Sequence, residues 1–179
     1  MSPDTPPSSS VKYLEELLQF LAQVQYGAVG TVIGRYYAMD RDKRWERSQL
    51  AYEALVAGTG QATSTATVVD AVKARFAAGE TDEFLKPLIV EKNGTVGNGD
   101  VMLFFDFRSD RMRQIVEVFG IKPPFATNVA LPKDLHIVQM TQYNASFNMP
   151  IIFAPQSNAN VLAEWLSVHG VRQFHTAET

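Results

Sequence analysis

The sequence contains no cysteine, and its 179 residues include only three histidines. Without cysteine the chain has no disulfide, no thiolate metal site and no thiol nucleophile, as is typical of cytoplasmic proteins. None of the histidines has a second histidine or a carboxylate at the spacing of a metal-binding helix; they are His136, His169 and His175. We therefore predict a cytoplasmic protein with no metal ion bound to this chain.

The sequence also lacks an excess of positive charge and a long apolar run. The net charge is −3 and the isoelectric point is near 5.6, whereas proteins that bind nucleic acids or acidic membranes are usually basic. No apolar run approaches the roughly 18 residues of a membrane span, and the first residues lack a basic segment followed by an apolar one. We predict no nucleic-acid partner, no membrane partner and no export.

Apolar residues make up 46% of the chain, which suffices for one domain that buries roughly 70% of its unfolded surface. We predict a single domain over residues 1–179, beginning with a Pro- and Ser-rich loop over 1–10. Apolar residues at three- and four-residue spacing predict five helices. They run from Val11 to Gly27, from Trp45 to Gly58, from a cap at Thr65 to Gly79, from a cap at Ser109 to Gly120, and from a cap at Ser157 to Gly170. The last helix is expected to bury Val161, Leu162, Trp165 and Leu166.

Short β-branched or aromatic runs predict strands between these helices, at 28–33, 88–90, 101–107, 135–141 and 150–153. The runs 28–33 and 101–107 are apolar throughout most of their length, which predicts buried strands of a parallel sheet. Asn93-Gly94 has the chemistry of a tight hairpin turn, after which 95–96 would pair back. Alternating strands and helices predict an α/β fold with a mostly parallel sheet flanked by helices.

Two arginine clusters hold eight of the sixteen lysines and arginines of the chain. The first lies in GRYYAMDRDKRWER at 34–47, after one predicted strand, and the second comprises Arg108, Arg111 and Arg113, after another. Ligands of open α/β sheets collect beyond the carboxyl ends of strands, and helix N-termini attract anions. Because the guanidinium fork binds carboxylate or phosphate through two hydrogen bonds, the clusters predict an anion site.

The charged, aromatic and glycine-rich stretches of the chain each have a simpler interpretation than a binding site. Asp40 and Arg44 have the spacing of an ordinary exposed helix pair, so the first cluster could be a solvated helix face. The aromatic residues Tyr36, Tyr37 and Trp45 could stack on nucleobases, but core packing explains them better in an acidic chain. The glycine-rich stretch 94–99 lacks the lysine and helix of a phosphate loop and predicts a turn.

Four stretches resemble the substrate-binding domain of the cofactor-independent phosphoglycerate mutases, in the same order as in that family. They are GRYYAMDRDKRWER at 34–47, TDEFLKP at 81–87, FFDFRSDR at 104–111 and PQSNANVLAEWLSVHGVRQFHTAET at 155–179. The opening Asp4-Thr5-Pro6-Pro7 is similar to the end of the family's GRDT segment. The resemblance covers essentially the whole chain, and the fourteen-residue motif is its most specific part.

The resemblance implies a glycolytic isomerase of glucose catabolism that interconverts 3-phosphoglycerate and 2-phosphoglycerate. In the family a serine of a separate phosphatase-like domain takes the phosphoryl group, with two manganese or magnesium ions, and the arginine-rich domain holds the substrate. By motif match the substrate contacts of this chain are Asp4, Arg35, Arg41, Arg108 and Arg111. The implied partners are therefore the two phosphoglycerates and the metal domain, while this chain itself holds no cofactor.

The chain departs from the family pattern in ways that affect its expected activity. The serine nucleophile and the metal ligands belong to the domain that this chain does not contain, and Pro3 stands where the family has an arginine. Asp106 replaces a common asparagine, and the chain stops at Thr179, short of a family lysine. We therefore expect a fragment of that domain, an incomplete three-layer sandwich that is inactive alone. The alternative is a non-catalytic module that binds small anions or a partner.

Overall fold

The computed structural model describes residues 5–177, which form six helices and six short strands. The helices are α1 (Ser10–Val24), α2 (Arg35–Ala38), α3 (Trp45–Ala57), α4 (Val68–Ala77), α5 (Ser109–Gly120) and α6 (Leu162–Val168). The strands are β1 (Thr31–Val32), β2 (Gln61–Ala62), β3 (Leu88–Ile89), β4 (Val101–Phe104), β5 (His136–Thr141) and β6 (Ile151–Phe153). Among the described residues, no helix is both long enough and apolar enough to cross a bilayer.

The strands form two three-stranded sheets. In the first, in the order β1-β3-β2, β3 pairs antiparallel with β1 and parallel with β2. In the second, in the order β4-β5-β6, all pairs are parallel, with Val101 opposite His136 and Gln139 opposite Ile151. This confirms the α/β class with a parallel sheet, although β1 belongs to a separate sheet with mixed strand directions.

Two apolar clusters hold these elements together. The larger joins α3, α5 and β5, and includes the fully buried Tyr52 and Val116 together with Phe119. The smaller joins α1, α4 and β3 through Leu14, Val72 and Leu88. The apolar spacing that predicted α3, α4 and α5 corresponds to these buried faces, as expected for helices stabilised mainly by packing, whereas in α1 Leu14 is buried but Leu17 and Val24 are exposed.

The helix ends follow local chemistry, with some shifts from the predicted caps. Gly58 ends α3 in a left-handed conformation (φ 65°), as predicted. Helix α4 begins after Thr67 rather than Thr65, following a turn in which the Ser64 carbonyl accepts the N–H groups of Thr67 at 3.0 Å and Val68 at 2.8 Å. Arg108 occupies the N-cap position of α5, which places Ser109 inside the helix.

The predicted strand 28–33 was wrong in extent and direction. Only Thr31 and Val32 pair, they are half-buried, and their partner β3 runs antiparallel. The glycine Gly30 explains the short strand, since its carbonyl accepts the N–H groups of both Val90 and Glu91. Two residues after β3 therefore bond one residue before β1, as at a β-bulge, and the regular pairing ends there.

The predicted hairpin at 93–96 is also absent from the described structure at that position. Residues Lys92–Gly94 form a 3-10 turn, and the Val96 N–H donates to the Leu55 carbonyl at 2.8 Å. The Asn93-Gly94 pair therefore turns the chain toward α3 rather than back along β3. Turn-forming residues signalled a reversal correctly, but its partner was set by tertiary packing.

The strand predicted at 101–107 ends at Phe104, and one of its faces is uncovered. Val101, Leu103, Phe105 and Phe107 are all exposed, and Phe105 is 78% exposed.

Helix α6 was also expected to be buried and to start after Ser157. Instead Val161 is its N-cap residue, and Leu162 is 72% exposed, with Val161 and Trp165 also exposed and Leu166 half-buried. Apolar periodicity predicted faces that could be buried, but nothing within residues 5–177 covers the apolar face of β4 or that of α6.

Candidate anion-binding site

Arg35 is the first residue of α2, and its backbone is fixed against the segment 83–85. The Gly34 N–H donates to the Leu85 carbonyl at 2.8 Å, and the Tyr36 N–H donates to the Glu83 carbonyl at 3.0 Å. The Arg35 side chain is 18% exposed, and its Nη2 donates to Glu83 Oε2 at 2.8 Å. Its Nε is buried and has no acceptor among the described residues.

The second cluster lies at the N-terminus of α5, where one carboxylate binds two arginines. Arg108 donates Nε and Nη2 to the two oxygens of Asp110, at 2.8 and 3.3 Å. Arg41 donates Nη1 to Asp110 Oδ2 at 2.8 Å. The hydrogen bonds from Arg108 and then Arg41 lower the pKa of Asp110 from 3.8 to about 2. Asp110 is therefore ionised at neutral pH and holds both guanidinium groups.

Arg111 lies in the first turn of α5, near the guanidinium groups of Arg41 and Arg108. Its Nη1 donates to the Met39 carbonyl at 3.1 Å, and no carboxylate among residues 5–177 pairs with it in a salt bridge. Burial lowers the pKa of Arg111, and repulsion from Arg41, Arg35 and Arg108 lowers it further. Arg41 and Arg108 share Asp110, and Arg111 donates to the backbone two residues before Arg41, so these three lie close together, with Arg35 near enough to Arg111 to repel it.

The charges of the cluster do not cancel. Four guanidinium groups face Glu83 and Asp110, and Asp106 also attracts Arg108, which leaves an excess of one positive charge. A partly buried site with such an excess is stabilised by an anion, and arginine forks bind carboxylate and phosphate oxygens in pairs. The arrangement can therefore hold a small anion.

The sequence predicted that strands of one parallel sheet would bring the two clusters together, and this prediction was wrong. Arg35 follows β1 in one sheet, and Arg108 follows β4 in the other, so no common parallel sheet aligns them. Contacts between the segment 39–44 and α5 bring the two clusters together instead. Asp4, predicted as a further substrate contact, lies outside the described residues.

Two of the remaining cations, Arg113 and Arg47, have structural partners for their side chains. Arg113 donates Nε to the Tyr143 carbonyl at 2.8 Å. Arg47 lies over the Tyr36 ring at 3.8 Å and pairs with Asp40. Asp40 and Arg44 are not an exposed helix pair, because Asp40 is buried and its Oδ2 accepts the Arg44 N–H. The aromatics Tyr37 and Trp45 pack against the larger apolar cluster, as core packing predicted.

Sequence reasoning missed the residues that hold these arginines. Glu83 and Asp110 lie within quoted motifs, TDEFLKP and FRSDR, but their pairing spans 48 and 69 residues. No local spacing could indicate these two long-range pairings, although Asp110 also binds Arg108 two residues away. Histidines play no part in the site, and residues 5–177 contain no group of three or more histidine or carboxylate side chains that could bind a metal ion.

Comparison with known proteins decides the family. Residues 3–145 match the sequence model of the BPG-independent PGAM N-terminus. The chain belongs to this phosphoglycerate mutase family. It is 50% identical over 178 residues to the 2,3-bisphosphoglycerate-independent phosphoglycerate mutase of Onchocerca volvulus and 51% identical over 180 residues to that of Caenorhabditis elegans. These alignments cover 98% of the chain but only 35% and 33% of the two relatives.

Solved structures of the phosphoglycerate mutase family support the fold. A phosphoglycerate mutase of Leishmania mexicana, crystallised at low cobalt concentration, matches 93% of the chain with a TM-score of 0.76 and 24% identity. The match covers 33% of that protein. The chain thus spans about a third of its mutase relatives, and all four clustered arginines lie within the part matched by the family model.

Proposed function

We propose that the chain is the substrate-binding part of a glycolytic isomerase that interconverts 3-phosphoglycerate and 2-phosphoglycerate. In this proposal a phosphoserine intermediate forms on a separate metal domain, and the arginine cluster holds the glycerate during the transfer. The observation that carries the proposal is the convergence of Arg35, Arg41, Arg108 and Arg111 with uncompensated positive charge. Family membership supports the choice of phosphoglycerate as the anion.

The chemistry of the ligand fits the cluster. Both phosphoglycerates carry a carboxylate and a phosphate, and both groups accept paired hydrogen bonds from arginine. A group held through several fixed forks keeps its orientation while a phosphoryl group leaves and returns, so binding is converted into correct positioning. Arg111, without a carboxylate partner, has the most donor capacity left for such a ligand.

The proposal assigns the remaining chemistry to another polypeptide region. Because the described residues offer no group that could bind a metal ion, the family's manganese or magnesium ions would be held by the metal domain together with the serine nucleophile. The assembled enzyme would act in glucose breakdown in the cytoplasm. This chain would contribute binding and orientation, and it would show no mutase activity by itself.

A binding experiment tests the site directly. We expect titration of the isotope-labelled chain with 3-phosphoglycerate to shift NMR signals of the four arginines and of their immediate neighbours. Binding should weaken as salt is added, because the interaction is between charges. Shifts confined to distant surfaces, or unchanged by substitution of these arginines, would contradict the proposal.

A complementation experiment distinguishes the enzyme part from a non-catalytic anion-binding module. The chain would be assayed for mutase activity with manganese, first alone and then with the rest of the Caenorhabditis elegans relative, whose equivalent segment is 51% identical. The expected result is no turnover alone and measurable turnover with the added part. Binding without any recovery of turnover would favour the module, and turnover by the chain alone would refute the assignment of catalysis elsewhere.

A further inference from the structure

The segment 39–44, which contains Arg41, is fixed from inside by a buried carboxylate. The Asp40 side chain is 1% exposed. Its Oδ2 accepts the backbone N–H groups of Asp42 at 3.1 Å and Arg44 at 2.9 Å, and its Oδ1 accepts Arg47 Nη1 at 3.0 Å. A buried carboxylate with several donors holds them firmly, because moving away would leave its charge unpaired.

Gln114 of α5 completes this arrangement from the other side. Its Oε1 accepts the Lys43 N–H at 2.6 Å, and its Nε2 donates to Asp40 Oδ2 at 2.8 Å and to Ser48 Oγ at 3.3 Å. Two side chains thus bind three successive backbone N–H groups, those of residues 42 to 44. Lys43 has φ 56°, a conformation that side chains rarely adopt and that persists only where surrounding contacts impose it.

The same helix holds the far end of the Arg41 side chain. Asp110 and Gln114 are four residues apart on α5, so they lie on one helical face. Gln114 binds the backbone beside Arg41, while Asp110 binds its guanidinium group. Arg111 of the same helix donates to the Met39 carbonyl. The segment is therefore tied to α5 on both sides of Arg41.

We propose that Asp40 and Gln114, here called the anchor pair, are positioning residues that hold Arg41 in register with Arg108 and Arg111. The proposal rests on the proposed function, in which these arginines bind an anion. Neither member of the anchor pair has to touch the ligand, because each is buried and its polar atoms are occupied by protein donors and acceptors. Their effect on binding is exerted through the position of Arg41.

Gln114→Met is the decisive variant, because it keeps the length of the side chain and removes both its donor and its acceptor. The first measurement needs no ligand. Asp110 would be titrated through its carboxyl carbon signal from about pH 6 down to about pH 3. If Arg41 is displaced, the pKa of Asp110 rises toward its ordinary value, and the carboxyl takes up its proton within this range. Arg41→Met gives the reference for full loss of the Arg41 contact.

The second measurement is the affinity for 3-phosphoglycerate, which we expect Gln114→Met to weaken about tenfold. The control is Gln49→Met, since Gln49 makes two hydrogen bonds, to Glu53 and the Ala126 carbonyl, away from the arginines. The control should leave both the Asp110 pKa and the affinity unchanged. Amide spectra and melting curves establish that each variant is folded.

Gln114→Glu provides a second test and is used if Gln114→Met does not fold. Its carboxylate still accepts the Lys43 N–H but repels Asp40, whereas the protonated acid can donate to Asp40 as the amide does. Relative to the wild-type chain at the same pH, affinity should therefore recover as the introduced group is protonated. A residue with only a structural role would not produce this pH-dependent recovery.

The outcomes separate this proposal from the proposed function. A raised Asp110 pKa in Gln114→Met supports the anchor pair even if the wild-type chain fails to bind 3-phosphoglycerate, and that failure would count only against the proposed function. A folded Gln114→Met chain with an unchanged Asp110 pKa overturns the positioning role, whatever its affinity. In Gln114→Glu, an affinity ratio that does not depend on pH overturns it as well.

Discussion

Arg111 is the residue at which the electrostatic interactions of the site meet. Burial and three neighbouring guanidinium groups lower its pKa, while its Nη1 donates to a backbone carbonyl rather than to a carboxylate. A side chain in this position is held in place by protein contacts yet keeps its charge uncompensated. Such a group gains more from an arriving anion than a surface arginine that already has a partner.

We expect Arg111→Lys to weaken 3-phosphoglycerate binding almost as much as Arg111→Ala, by about ten- to a hundredfold. Lysine keeps the charge but cannot donate to Met39 and to an anion through one rigid fork. Calorimetry or NMR titration measures the effect, with Arg75→Lys as the control, since Arg75 pairs with Glu80 away from the site. Near wild-type affinity for Arg111→Lys would show that charge alone suffices.

Asp110 gives the site a predictable dependence on pH. Because the pKa of Asp110 is lowered from 3.8 to about 2 in the folded chain, its carboxylate stabilises the fold above the unfolded pKa. That contribution is lost as the pH falls toward about 2. We expect Asp110→Asn to lower the free energy of unfolding by no more than about 1 kcal/mol at neutral pH, since the group is partly exposed.

Urea denaturation at several pH values measures the free energy of unfolding that Asp110→Asn loses. The difference between the wild-type chain and Asp110→Asn should narrow as the pH falls from about 4.5 to about 2, through the pKa of the unfolded chain toward that of the folded one. The exposed Asp70→Asn provides a control for the general effect of removing one negative charge. A difference that stays constant across this range would mean that the ion pairs of Asp110 contribute nothing to stability.

At the scale of elements, the junction between β1 and α2 depends on one close backbone approach. A Cβ atom at Gly34 would lie 2.3 Å from the Glu83 carbonyl oxygen and 2.6 Å from the Leu85 nitrogen. Both are backbone atoms, so they cannot turn away as a side chain could. The segment 83–85 would have to move, and Glu83 would be displaced from Arg35.

We expect Gly34→Ala to lower the free energy of unfolding by about 2–4 kcal/mol and also to weaken anion binding. Gly97→Ala is the matched control, because its Cβ would meet nothing closer than Asp100 Oδ2 at 3.7 Å. Urea denaturation measures stability, and titration with 3-phosphoglycerate measures binding. If Gly34→Ala proved as stable as Gly97→Ala, the close approach would not constrain this junction.

The elements also show which features a sequence can predict. Helices α1, α3 and α5 were predictable because their apolar spacing is local, and Val116 and Phe119 of α5 are indeed buried. The direction of β1 was not, since two paired residues contain no periodicity and their partners lie 58 and 56 residues away. The four arginines followed from their motifs, and their role as substrate contacts stays a prediction. The pairing of Arg35 with Glu83 and of Arg41 with Asp110 depends on the tertiary fold, which no local pattern reports.

At the scale of the whole molecule, the parallel sheet presents an apolar face to solvent. Phe105 and Phe107 follow β4, and the Phe107 ring lies 5.6 Å from that of Phe153 on β6. Strands β4 and β6 are also the edges of this sheet within the described residues. Contiguous exposed apolar surface beside free sheet edges favours association with other molecules.

We expect the chain alone to self-associate as its concentration rises, measured by light scattering or sedimentation. Phe105→Ser should reduce the association, because it removes the most exposed aromatic ring of this face. The control is Tyr26→Ser, since Tyr26 is 84% exposed but lies at the end of α1. A monomer at all concentrations, or equal effects of the two substitutions, would show that the sheet face does not drive association.

The long sequence separation of the contacts around the arginines has a consequence for protein synthesis. Arg35 pairs with Glu83, 48 residues further along the chain, and Arg41 pairs with Asp110, 69 residues further. Asp40 accepts a hydrogen bond from Gln114, 74 residues further. On the ribosome the N-terminal part emerges first, so a half-made chain has its first arginines but none of their partners on α5. Such a chain cannot bind the anion. Since a ligand stabilises only the state that binds it, the cellular concentration of that anion would protect finished chains and leave unfinished ones unaffected.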